Sequence, residues 1–316
     1  MLNSCFFTNF ADAIFHIIMK LVVHSIIRLL VMCSLLIIWN PAQATTKRAL
    51  LVGISNYGQN DANSWNDIHG ANDVELILKT LKKQQFKITT ITNKDATASR
   101  IRKEMKSLSA TCRKGDVVYI HFSCHGQPFE DRNGDEEDGW DESIIPYDAP
   151  KVFIKGKYEG ANHILDDELH GYFQRIRQAI GTTGFLCVVI DACHAGGSQR
   201  GYDFEDDEPI CRGTKQAFSP NGKTYRPRIN TNGHFVIPSD GKLGNIVILE
   251  ACRSYQSNYE VKQDGKYYGP LSYYVNKALS TCSLAPNLKW VQEVKRLMDG
   301  DRRLTKQNMV YETSLK

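Results

Sequence analysis

An α/β architecture built on a mostly parallel sheet is expected from residue 47 onward, and two observations lead there. Short runs rich in Val, Ile, Leu and Phe recur along the chain, and amphipathic segments separate them, which is the rhythm of strands joined by covering helices. The strand runs are Arg48–Ile54, Lys87–Thr92, Asp116–Phe122, Phe185–Ile190 and Asn245–Glu250; apolar runs of this length suit strands buried on both faces. Between them, Asp73–Lys82 sets Val74, Ile77, Leu78 and Leu81 on one helical face, and Thr97–Leu108 does the same with Ile101, Met105 and Leu108. Further helices are expected at Asp166–Ile180, Pro270–Leu279 and Leu288–Met298, and Asn308–Thr313 as an edge strand. Two stretches break the rhythm. Gln127–Gly139 is acidic and without apolar periodicity, and 198–244 is a long insertion rich in Gly, Pro and charge, with a weak strand signal at His234–Ile237. Loops of such length in a compact domain are usually functional or mobile.

The first 44 residues read differently. An apolar run from Leu29 to Trp39 follows Arg28 and precedes Pro41, Ala42, Gln43 and Ala44. The run is short for a membrane span, and Ala42 and Ala44 supply the small side chains a signal peptidase needs, so cleavage after Ala44 and export to the periplasm or medium are expected, with no stable span in the mature chain. The alternative is an uncleaved amino-terminal anchor. Met19 is followed at once by Lys20 and an apolar segment, so a start at Met19 gives a signal of ordinary size. The domain proper is then 45–316. The full chain's balance of 39 basic and 35 acidic side chains, with no aromatic-interleaved basic patch, argues against a nucleic-acid partner.

Of the nine cysteines, Cys5 and Cys33 would leave with the signal. The remaining seven are an odd number, so in an oxidising compartment at least one thiol stays unpaired. Cys193 stands out. In Val188–Gly197, VVIDACHAGG, it lies where a buried strand runs out into small residues, and His125 occupies the matching place in Phe122–Gly126, FSCHG. In a parallel sheet the ligand site lies beyond the carboxyl ends of the strands. A thiol and an imidazole there have the makings of a nucleophile and its general base, with the amides of Gly126 and Cys193 as donors to an oxyanion. The plain alternative is that each is a core residue near an apolar run. His194 is a poor base, because a tight turn points it away from the neighbouring thiol.

These residues resemble a family. FSCHG, DGWDESIIPYD at Asp138–Asp148, ILDDEL at Ile164–Leu169, DACHAGG at Asp191–Gly197 and ACRSYQSNYE at Ala251–Glu260 are similar to motifs of the caspase-like cysteine peptidases, specifically the bacterial relatives of metacaspases, in order and with plausible spacing from about Arg48 to Thr313. The resemblance implies a three-layer α/β/α sandwich, a His125/Cys193 dyad and cleavage of proteins or peptides after Arg or Lys. It matches Asp191, Asp73 and Ser123 to an acidic pocket for that cation, although Asp73 also suits a helix cap or first-turn acid. Cys124 stands where the family usually has glycine, and it would crowd the site or offer a disulfide switch.

The chemistry needs no cofactor. The same resemblance implies calcium only as an activator, held by acids matching Asp141, Asp166, Asp167 and Asp203, whose hard oxygens suit the ion; the alternative is that Asp166 and Asp167 cap a helix and Asp141 orders a loop. Asp131, Asn133, Asp135 and Glu142 fall at EF-hand-like positions 1, 3, 5 and 12, but Glu136 stands where glycine is needed. Basic residues between Arg200 and Lys242 make the insertion a candidate for self-cleavage within 198–242, or else an uncut surface loop. The competing readings are a legumain- or gingipain-like peptidase of other specificity and a catalytically silent binding module.

Overall fold

A computed structural model describes residues 15–29, 45–58, 64–193, 209–214, 216–238 and 241–316. The chain divides into two units, 1–44 and 45–316. In the first, residues 15–29 form helix α1; among the described residues no helix is long and apolar enough to cross a membrane. The second carries a seven-stranded sheet in the order β2-β1-β3-β7-β9-β12-β8. Strands β1 (Lys47–Gly53), β2 (Lys87–Thr92), β3 (Val117–Ser123), β7 (Phe185–Asp191) and β9 (Asn245–Glu250) run parallel. β12 (Val310–Thr313) is antiparallel to β9.

Residue parity along these strands sorts the core into two layers. Leu50, Val52, Val118, Ile120, Leu186 and Val188 pack with α3 (Ala98–Thr111) and α4 (Asp166–Ile180). Ala49, Leu51, Tyr119, Cys187 and Val189 pack on the other side with α2 (Gly70–Lys83), α5 (Pro270–Thr281) and α6 (Lys289–Asp299). Because strand side chains alternate, both layers are filled only by runs apolar at every position. The fold is therefore the three-layer sandwich with a mostly parallel sheet.

Two expectations need correction. Val310–Thr313 is an inner strand, because β8 (His234–Val236) pairs along its outer side and forms the edge. The segment beginning at Gln127 is not all loop: β4 (His125–Glu130) pairs with β5 (Trp140–Ile145), which also pairs with β6 (Ile164–Leu165). β4 carries no alternation because it is buried on both sides, with Phe129 stacked on Phe218 at 4.9 Å. The hairpin β10 (Val261–Gln263) and β11 (Lys266–Tyr268) completes the unit.

Candidate active site

The parallel register sets Ser123 directly beside Asp191 at the carboxyl ends of β3 and β7. Both are odd-numbered and so face the layer of α2 and α5. α2 reaches them because its first residue has no side chain: a Cβ on Gly70 would lie 2.2 Å from the Ser123 carbonyl oxygen and 2.7 Å from that of Ile54. That close seat brings Asp73, in the first turn, to accept the Ser123 hydroxyl hydrogen bond at 2.6 Å. α5 starts against Asp191, whose Oδ2 accepts from the Ser272 amide and hydroxyl, both at 2.7 Å. Asn258 Nδ2 donates to Asp191 Oδ1 at 2.7 Å.

His125 is buried and held by its backbone and ring. Its amide donates to the Tyr57 hydroxyl at 2.9 Å, and its ring lies 4.9 Å from Trp65 and 5.1 Å from Tyr57. Nε2 lies 2.8 Å from the Asn66 carbonyl oxygen. A carbonyl only accepts, so the neutral ring carries its hydrogen on Nε2 and leaves a lone pair on Nδ1. Nδ1 is buried and has no hydrogen-bond partner among the described residues. Burial lowers the imidazole to about 4, against the opposing pull of the Asn66 carbonyl, so the ring is neutral at ordinary pH.

Cys193 is also fully buried. Its thiol donates to the Gln256 carbonyl at 3.2 Å and lies 3.7 Å from the Cys252 sulfur, well beyond a disulfide bond of about 2.05 Å. Burial pushes the thiol well above its usual range. Here the pair rests as thiol and neutral imidazole.

The site is filled by the chain itself. Arg212 is fully buried, and its guanidinium reaches three carboxylates: Asp73 at 2.8 Å, Glu260 at 2.7 Å and Asp191 at 3.7 Å. It also donates from Nη1 to the Ser123 hydroxyl at 2.6 Å and from Nε to Glu260 at 3.1 Å. Desolvation opposes its charge, and the three acids more than compensate, raising the guanidinium above its usual value. The carbonyl oxygen of Arg212 accepts from the Gly126 amide at 3.0 Å and the Cys193 amide at 3.3 Å. Flanking backbone pairs as an antiparallel strand: Arg212 N–H to Asn258 O and Glu260 N–H to Ile210 O, both 2.9 Å, with Cys211 opposite Tyr259.

The structure thus brings together His125, Gly126, Cys193, Asp73, Ser123 and Asp191 around one arginine. Sequence reasoning missed Glu260, Gly269, Asn258, Asn66 and Trp65. A Cβ on Gly269 would lie 2.2 Å from Asp191 Oδ2 and 2.5 Å from Arg212 Nη1, so this glycine leaves the guanidinium its room. The only sequence signal was Asn258 and Glu260 in the motif at Ala251–Glu260. Cys124 does not crowd the pair; it packs into the core beside Ile144 and Ile145, and burial raises its thiol to about 12.

The expected calcium acids regroup. Asp141 stands with Asp131 and Asp135, with ligand oxygens all within 4.8 Å of one another. Asp166 and Asp167 lie in the first turn of α4, close enough for their charges to help burial raise Asp141 to about 7. Glu142, the twelfth EF-hand-like position, is not in the group and lines a cavity of about 370 Å³ with Glu136, Glu250 and Glu312. Asp203, His194, Ala195–Gly197, Arg200 and the expected cleavage point at Ala44 lie outside the described residues.

The metacaspase peptidase C14 domain matches residues 47–199. The chain is 26% identical to Metacaspase-1 of Mycosarcoma maydis over 80% of its own length and 66% of that protein. It is 28% identical to Metacaspase-2 of Trypanosoma brucei brucei over 72% of its length and 60% of that protein. It therefore spans about two thirds or less of these relatives. A crystal structure of a protein from Geobacter sulfurreducens shares the fold, with a TM-score of 0.56 at 18% identity, over 86% of this chain and 97% of that one.

Proposed function

We propose that the peptidase domain of this chain is a metacaspase-like cysteine endopeptidase that cuts proteins and peptides after Arg or Lys, with Cys193 as nucleophile and His125 as base, a reading supported by the metacaspase domain match and the metacaspase relatives. One observation carries the reading: a buried arginine sits among Asp73, Asp191 and Glu260 with its carbonyl oxygen on the Gly126 and Cys193 amides. Those two amides are the donors we assign to the charge that develops on the carbonyl oxygen during thiol attack. His125 takes the thiol proton on Nδ1, the thiolate adds to the carbonyl carbon, and the imidazolium returns the proton to the leaving amine. Water then hydrolyses the thioester, with the same ring as base.

Burial suppresses the reactive ion pair while the segment is in place; readmitting water lowers the cost of charging both groups. Residues 1–44 are read as an export signal, and self-cleavage is placed within 198–242. Thr45 as the amino terminus of exported chain checks the first, and the loss of fragments in Cys193→Ala the second.

Calcium fits the acids at Asp131, Asp135 and Asp141. Asp141 Oδ1 is buried without a hydrogen-bond partner among the described residues, and hard oxygen donors suit the ion. Asp166 and Asp167 supply further negative charge nearby, and Asp203, outside the described residues, stays a ligand by the resemblance alone. A bound ion would neutralise the cluster and order the 131–142 loop. The test is hydrolysis of an arginine-terminated peptide reporter. Wild type is expected to cleave it faster than an aspartate-terminated one, Cys193→Ala to lose activity, and a chelator to slow wild type reversibly. Faster cleavage after aspartate contradicts the specificity, and chelator-insensitive activity removes the ion.

A further inference from the structure

We propose that the bond between Arg212 and Gly213 is the chain's own processing site, cut in cis, so that segment 210–213 is a tethered substrate that fills the site until it is cleaved. This rests on the peptidase reading above and names the bond within it.

Three independent contacts converge on this one peptide. The side chain of Arg212 occupies the acidic pocket and is bonded to Asp73, Ser123 and Glu260. Its carbonyl oxygen is held by two amides, 3.0 Å from Gly126 N and 3.3 Å from Cys193 N. Its backbone, from Ile210 to Arg212, pairs with Asn258–Glu260 as an added strand, which is how a peptidase fixes the direction of a substrate. Any one of these would suit an ordinary buried arginine. Together they fix the scissile bond, because only the residue whose side chain is in the pocket presents its carbonyl to the two donors.

The residue after the bond agrees. A Cβ built on Gly213 would lie 2.4 Å from the Cys193 carbonyl oxygen and 3.0 Å from its Cβ, so Gly213 is pressed against the nucleophile's own backbone and only glycine fits. Downstream, the chain is tied again where Gln216 O accepts from Gln127 Nε2 at 2.8 Å and Phe218 exchanges backbone bonds with Pro128 and Glu130. The peptide is therefore held on both sides of the bond, the arrangement that makes an intramolecular reaction fast.

The reaction balances with water as the only co-reactant. The Cys193 sulfur bonds to the Arg212 carbonyl carbon, the bond to Gly213 nitrogen breaks, and the thiol proton passes through His125 to the new amine. Water then cleaves the thioester, leaving a carboxylate on Arg212 and restoring the thiol. The Arg212 end is thereafter held from one side only, so it can leave and free the acidic pocket for another basic residue.

The experiment incubates the purified, reduced full chain and identifies the new termini by mass spectrometry. A fragment beginning at Gly213 and one ending at Arg212 are expected, at a first-order rate unchanged over a dilution of roughly 100-fold, as attack within one chain requires. Arg212→Gln is expected to slow this cut by about 100-fold or more while the arginine reporter is still hydrolysed. Because Arg212→Gln removes a buried cation from three acids and risks misfolding, Arg212→Lys is run beside it and is expected to be cut at the same bond. Reporter hydrolysis by the wild-type chain with its Arg212–Gly213 bond intact, or a self-cleavage rate proportional to chain concentration, overturns the proposal and leaves the peptidase reading standing. Absence of both reporter hydrolysis and self-cleavage overturns the two together.

Discussion

Glu260 touches the part of an arginine that lysine lacks. Its Oε1 accepts from both Nε and Nη2, whereas a lysine offers one terminal ammonium to the pocket. Its other oxygen lies 2.5 Å from His69 Nδ1, which fixes the carboxylate in place and raises the His69 ring through that hydrogen bond. Losing one charge-assisted hydrogen bond is worth about 2 kcal/mol, so Glu260→Gln should reduce kcat/KM for an arginine reporter by about 10-fold or more. The lysine reporter should change little. An equal loss on both would assign Glu260 a structural role instead. Next to the pocket, His121 is buried between the Tyr119 and Ser272 hydroxyls, and burial lowers it to about 4, with Asp191 opposing and Arg212 reinforcing. In the unfolded chain it takes a proton near 6.5. The unfolded state thus binds more protons between those values, and the stability from this residue, complete above 6.5, is lost as pH falls toward 4. The stability difference between wild type and His121→Gln should shrink by up to roughly 3 kcal/mol across that window; a constant difference contradicts it.

At the scale of elements, α2 shows both the reach and the limit of reading a chain. Its apolar stripe at Val74, Ile77 and Leu81 announced the helix, and its start was placed three residues late because no side-chain cap marks Gly70. That start is decided by contact with β1 and β3, which are distant in sequence. Gly70→Ala should cost about 1–3 kcal/mol by overpacking, and it should also pull Asp73 from the pocket, lowering arginine-reporter kcat/KM. Unchanged denaturation midpoint and kinetics would show the seat to be less tight than the distances indicate. The ends of β3 and β7 were legible because buried strands end abruptly in small polar residues there. Glu260, Gly269 and Asn66 were not, since each acts through a carbonyl, an absent Cβ or a partner from another element. The same holds for β4, whose burial depends on Phe218 and not on its own pattern.

Across the whole molecule, a parallel sheet gathers one end of many crossovers, and this chain places 69–73, 123–126, 191–193, 210–213, 256–260 and 269–272 there. No local stretch holds the site. The thiol also has a neighbouring thiol 3.7 Å away in Cys252, so the measurement that identifies the nucleophile must distinguish the two. The direct one treats the reduced full chain with an electrophilic peptide ending in arginine and maps the adduct by mass spectrometry. The account predicts a single thioether on Cys193, blocked by an arginine peptide and not formed by the aspartate-ended reagent. An adduct on Cys252, no adduct, or faster labelling by the aspartate reagent would contradict it.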